Sequence, residues 1–171
     1  MSIINWPDLY LPGKTDFFVS NETIISGVLT DNAWTFLADT RRWHEAYSEL
    51  SGIEIHDESD PVLSKGTRFS FNISGLTVQA EVTESQAPSP GVAGRLSWHG
   101  WVETGGTTIV DAWCAWIIED LHSERTRILW QESLLGKPAK EMSRQKPNPA
   151  LLSHQDWVDG IAHAARTATS R

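Results

Sequence analysis

Four kinds of side chain in this 171-residue chain could do chemistry. The single cysteine, Cys114, is a nucleophile only where a nearby base or a depressed pKa makes it a thiolate. Buried and unactivated, it is a small apolar group. Glu132 lies in the strand-like run Arg125–Leu135 (RTRILWQESLL). A carboxylate facing a core must be paired or carry a raised pKa, and a near-neutral Glu is a general acid or base for enolisation and dehydration. On the opposite face of the same strand it would be solvated. His154 stands three residues before Trp157 and offers a proton donor or acceptor to a ligand carbonyl or to Glu132. The nine tryptophans outnumber the two tyrosines and five phenylalanines combined. Each indole is a flat, polarisable ring with one N–H donor, suited to stacking on an aromatic ligand or, more plainly, to filling a core.

Other chemistries lack their residues. One cysteine allows neither an internal disulfide nor a cysteine metal cluster. The six histidines (His44, His56, His99, His122, His154, His163) form no His-x-His or His-Glu-x-x-His pattern, so no metal and no cofactor is expected. No glycine-rich phosphate loop follows a strand, and Gly105–Gly106 reads as a hairpin turn. Fourteen basic against 22 acidic residues give a formal charge of −8, a poor match for nucleic acid or an anionic membrane. The basic run Lys137, Lys140, Arg144 and Lys146, interrupted by Glu141, reads as a solvated connection. The first residues lack the basic and apolar regions of an export signal, and no apolar stretch approaches the ~18 residues of a membrane span, so a soluble cytoplasmic protein is expected.

These side chains need elements to position them. Residues 1–15, with Pro7, Pro12 and Gly13, read as an irregular arm that Trp6, Leu9 and Leu11 can pin to a single domain over 16–171. Asp16–Gly27 reads as a strand, followed by a short helix near Ala33–Ala38 and a second over Arg41–Leu50. Period-two alternation then marks Ile53 and Ile55, Lys65–Ile73 and Leu76–Glu84 around the Ser74–Gly75 turn, Gly94–Val102, Thr107–Leu121 and Arg125–Leu135. Pro138–Pro149 is rich in helix breakers. Beyond it, Leu151, His154, Val158, Ile161 and Ala165 share one helical stripe, with Trp157 on its flank. The sum is α+β: seven curved antiparallel strands wrapped around one long C-terminal helix, with two short helices between the first and second strands. One helix about 10 Å wide cannot fill such a concave face, so an internal pocket is expected.

Several motifs resemble one family. Trp34-Thr35-Phe36-Leu37-Ala38-Asp39 followed by Arg42-Trp43, Lys65-Gly66-Thr67-Arg68-Phe69, Gly75–Glu84, Arg95-Leu96-Ser97-Trp98, Thr126-Arg127-Ile128 and Glu132–Gly136 stand in its order and spacing. Together they resemble the START/Bet v 1-like (SRPBCC) helix-grip superfamily, in its polyketide cyclase/dehydrase-like branch, over about residues 16–168. Relatives often carry His-x-Trp-x-Phe where this chain has Cys114-Ala115-Trp116-Ile117-Ile118, so a histidine role there is lost.

The resemblance implies inward positions at Phe69, Phe71, Val78, Ala80, Val82, Leu96, Trp98, Cys114, Trp116, Ile118, Ile128, Trp130 and Glu132, faced by His154, Trp157, Val158 and Ile161. On that pattern Phe69, Phe71, Trp98, Cys114, Trp116, Trp130, Trp157 and Ile161 line a ligand site, and Glu132 with His154 are the catalytic candidates. His99 and Asp111 fall outward and rank second. The two short helices and the loops near Pro61 and Gly75 would guard the mouth. Three functions fit: a binding protein for a small hydrophobic, aromatic or polycyclic molecule, a cyclase or dehydratase acting on a polyketide-like substrate, and a protein-interaction module with an open groove. The sequence leaves a homodimer open.

Overall fold

Alternating apolar and polar residues build seven strands. They are β1 (Phe17–Ser26), β2 (Ser51–His56), β3 (Arg68–Ile73), β4 (Leu76–Gln86), β5 (Gly94–Thr104), β6 (Thr107–Asp120) and β7 (Arg125–Leu135). The computed structural model describes residues 3–56 and 60–169. All the strands join one antiparallel sheet in the order β1-β7-β6-β5-β4-β3-β2. The β3–β4 turn places Ser74 and Gly75 at positive φ, and the β5–β6 turn does the same at Gly105 and Gly106. Such turns match the twist of the strands they join. Register shifts at Val82/Glu84 and Val102/Glu103 are bulges, which bend the strands. The sheet is therefore concave toward the helices.

The helices are α1 (Thr30–Ala38), α2 (Trp43–Ala46), α3 (Lys137–Met142) and α4 (Pro149–Thr169). At 1.5 Å per residue, the 21 residues of α4 run about 31 Å along the concave face. Its buried side carries Ala150, His154, Trp157, Val158, Ile161, Ala162, Ala164 and Ala165. Trp157 is thus central rather than flanking. Leu151, placed on the stripe by its spacing, is 44% exposed, because the buried arc is centred a residue earlier, on Ala150.

The second helix is shorter than the Arg41–Leu50 expectation. Asp39 accepts from the Arg41 backbone N–H and its guanidinium, folding Thr40–Arg42 into a 3-10 turn before four residues of α2. The connection after β7 is more ordered than its prolines suggest. Pro138 sits in the first turn of α3, where a missing N–H removes no helical bond.

The arm lies on the convex face. Arg95 donates to the Ile3 carbonyl, Trp6 meets Phe18 edge-on and the Tyr10 hydroxyl donates to Asp111 at 2.8 Å. Leu9, in contrast, is 59% exposed and pins nothing. No helix among the described residues is long and apolar enough to cross a membrane.

Candidate functional site

Strand pairing sets three candidate residues side by side. Trp98 on β5 pairs with Cys114 on β6, and Cys114 pairs with Glu132 on β7. All three face α4, which lowers His154 onto the row. His154 Nε2 stands 3.2 Å from Glu132 Oε2, and the Cys114 thiol donates to Glu132 Oε1 at 2.7 Å. A carboxylate only accepts, so the proton of this contact sits on Nε2. That leaves Nδ1 without a partner among the described residues.

Burial acts on both acids of this cluster. Loss of hydration is the largest influence on Glu132 and would raise its pKa. The facing His154, with hydrogen bonds from His154 and Cys114, outweighs it and holds the carboxyl below its ordinary value. Of the two states the sequence left open for an inward Glu132, pairing or a raised pKa, the geometry matches the paired carboxylate. Glu132 keeps 14% of its side-chain surface accessible, and that surface borders the pocket. Burial, followed by the Glu132 charge, pushes the Cys114 thiol well up. A protonated, enclosed thiol is a poor nucleophile, and Cys114 here is a hydrogen-bond donor.

Indoles wall the cluster. Trp130 lies between Trp116, stacked at 4.5 Å, and the His154 ring, stacked at 3.6 Å. Trp157 meets Trp130 edge-on at 5.1 Å. The indole N–H groups of Trp116, Trp130 and Trp157 are buried without a hydrogen-bond partner among the described residues, whereas that of Trp98 is directed at the Cys114 sulfur.

Beside these groups lies a pocket of about 210 Å³. Phe71, Trp98, Cys114, Trp130, Glu132, His154 and Trp157 all line it. Three other expected lining residues do not. Phe69 packs against Trp43 at 5.8 Å, Trp116 is sealed between Trp130 and Trp157, and Ile161 is fully buried lower on α4. The mouth agrees with expectation at the Gly75 turn and differs at the two short helices and the Pro61 loop. Ser74 and Leu76 of the β3–β4 hairpin border the pocket, together with Ala139 and Met142 of α3 and Pro149 and Ser153 of α4. The Pro61 loop is instead bonded to the end of α1 and the turn that follows, through Thr40 N–H to Pro61 O and Leu63 N–H to Ala38 O. Sequence reasoning missed Gly100 and Ala112 in the lining, although strand parity with Trp98 and Cys114 marks both.

His99 and Asp111 stay outside. They are bonded to one another at 2.6 Å on the convex face and share Asp111 with Tyr10. No group of three His, Cys, Asp or Glu side chains among the described residues is arranged to hold a metal ion.

No family model matches the sequence, and no curated protein matches it. Solved structures do. A crystal structure of the hypothetical protein jhp0584 from Helicobacter pylori is 37% identical over 97% of this chain and 98% of its own, with a TM-score of 0.91. The di-domain ARO/CYC protein BexL of the BE-7585A biosynthetic pathway aligns with 91% of this chain and 48% of its own at 10% identity and a TM-score of 0.65. Norcoclaurine synthase from Thalictrum flavumn, solved as a point mutant with a transition-state analogue, covers 89% of this chain and 95% of its own at 11% identity and a TM-score of 0.61.

Proposed function

We propose that this chain, which belongs to the START/Bet v 1-like helix-grip superfamily, binds a small, flat, mostly apolar molecule between its sheet and the first half of α4. The hollow carries the reading. At about 210 Å³ it is larger than the roughly 150 Å³ apolar cavity that admits benzene and smaller than the roughly 300–1,000 Å³ typical of drug-sized ligands. One or two fused rings suit that volume better than a polycyclic skeleton. Trp98, Trp130 and Trp157 border the hollow and offer indole rings for stacking. The test is native mass spectrometry of the protein purified from its own host. A co-purifying species of one- or two-ring size supports the reading, and a long-chain lipid contradicts it.

A second reading, catalysis, is favoured by the Glu132–His154 contact inside the same hollow. Glu132 fixes the imidazole by accepting from Nε2, so Nδ1 is the atom at which His154 would take and return the proton. This division of labour suits a cyclase or dehydratase, in which enclosure also folds a flexible substrate into a reactive conformer. Glu132→Gln would then lower turnover by about 100-fold or more, within the range of general acid–base effects, while affinity changes little. Activity that survives this change would remove Glu132 from the mechanism.

A further inference from the structure

Among the twelve glycines, one has no structural reason to be glycine. Nine adopt positive φ. Gly94 and Gly160 are crowded, by Pro88 and by the Ala46 backbone respectively. Gly100 has neither constraint. A Cβ built on it would meet Val78 at 3.5 Å, Trp98 at 3.6 Å and the Gln79 carbonyl at 3.7 Å, all ordinary contacts. Yet Gly100 sits inside β5, where glycine costs roughly 0.5–1 kcal/mol relative to alanine. It is buried and borders the pocket.

Its neighbours across the sheet are also small. Gly100 pairs with Ala80 on β4 and Ala112 on β6. One side-chain row along the strands stands Trp98–Cys114–Glu132. On the other side stands Val102–Val110. A low strip thus runs between the row that carries the polar groups and an apolar ridge. His154 and Trp157 face it from α4, and both border the pocket.

We infer that Gly100 is the specificity-determining residue of the pocket: the ligand's ring system lies flat over Gly100 and Ala112 with its polar edge toward Glu132 and His154. The inference rests on the ring-binding reading above. A fused pair of rings needs the open strip, whereas a single ring can remain beside Trp98 and Trp130. A side chain at position 100 fills the space of the second ring without disturbing the fold.

Naphthol and phenol are suitable probes, with binding measured calorimetrically on wild type, Gly100→Ala and Gly100→Val. Wild type should bind naphthol more tightly than phenol. Gly100→Val should weaken naphthol by about tenfold or more, the scale of overpacking a fitted site, and Gly100→Ala by a smaller factor. Phenol affinity should change by less than about threefold, because no contact it needs is lost. The melting temperature of Gly100→Ala should equal or exceed that of wild type. Should the valine variant not fold, the alanine variant decides. Naphthol affinity unchanged by the alanine and valine side chains overturns the inference while leaving ring binding intact. A lower melting temperature for Gly100→Ala also overturns it, since the glycine would then be structural. If wild type binds neither probe, the ring-binding reading fails, and the inference with it.

Discussion

The two halves of α4 face one sheet but meet different interiors. Along the C-terminal half, Val158, Ile161 and Ala165 are fully buried, within a cluster that also holds Phe36, Leu37, Trp43, Ile118 and Ile128. There α1 and α2 close the side away from the sheet, and Gly160 lets the Ala46 backbone of α2 rest on the helix axis. Beside the N-terminal half, the six-residue α3 packs on β1, β6 and β7 instead, and the sheet opposite offers Gly100 and Ala112. That half keeps the hollow and the polar cluster. Curvature alone therefore does not create the pocket. The same curved sheet is filled solid wherever large residues and two helices meet it.

Substitutions sharpen this contrast. The largest loss is expected from Trp43→Ala, since Trp43 is fully buried, packs edge-on against Phe69, Phe71 and Trp157, and donates to the Leu37 carbonyl at 2.8 Å. It should cost about 3–5 kcal/mol in chemical denaturation. Gly160→Ala should follow at about 1–3 kcal/mol, because the new methyl meets backbone that cannot rotate away. A neutral result would show that the packed half is looser than described.

In the hollow half the expected effects are smaller and depend on pH. Glu132 has a depressed pKa, so its carboxylate stabilises the fold above the ordinary value of 4.5. That contribution fades as pH falls through the lower folded value. Glu132→Gln should be less stable than wild type at neutral pH and converge with it in acid, as followed by thermal melts. The Cys114 thiol has a raised pKa, so its contribution is complete below the ordinary 9.0 and declines as pH climbs beyond it. Cys114→Ala should remove that alkaline slope and lower the melting temperature at neutral pH, because the Glu132 carboxylate loses a hydrogen bond. A slope that persists in the variant would have another source.

The solid half was the more legible in the sequence. Alternation with Arg68 and Ser70 marked the face of Phe69, the family resemblance marked those of Trp116 and Ile118, and burial of all three agrees. Glu132 and His154 could be named from parity and helical spacing, but their mutual contact depends on how α4 crosses β7, which no local pattern records. Trp43 was visible as a helix residue and hidden as a core residue, because its partners lie on α1, α4 and the two strands β3 and β5. The strip under the pocket required knowing that Ala80, Gly100 and Ala112 are cross-strand neighbours, and pairing register is a long-range property. The α3 helix was obscured by Pro138 within it and by Pro147 and Pro149 beyond it.

A crystal soaked with naphthol puts the contrast to its most direct test. Density for the rings between the Gly100–Ala112 strip and the first half of α4, with the hydroxyl within hydrogen-bond reach of Glu132 or His154, is the predicted result. Naphthol lodged instead among α1, α2 and the second half of α4 would contradict the account.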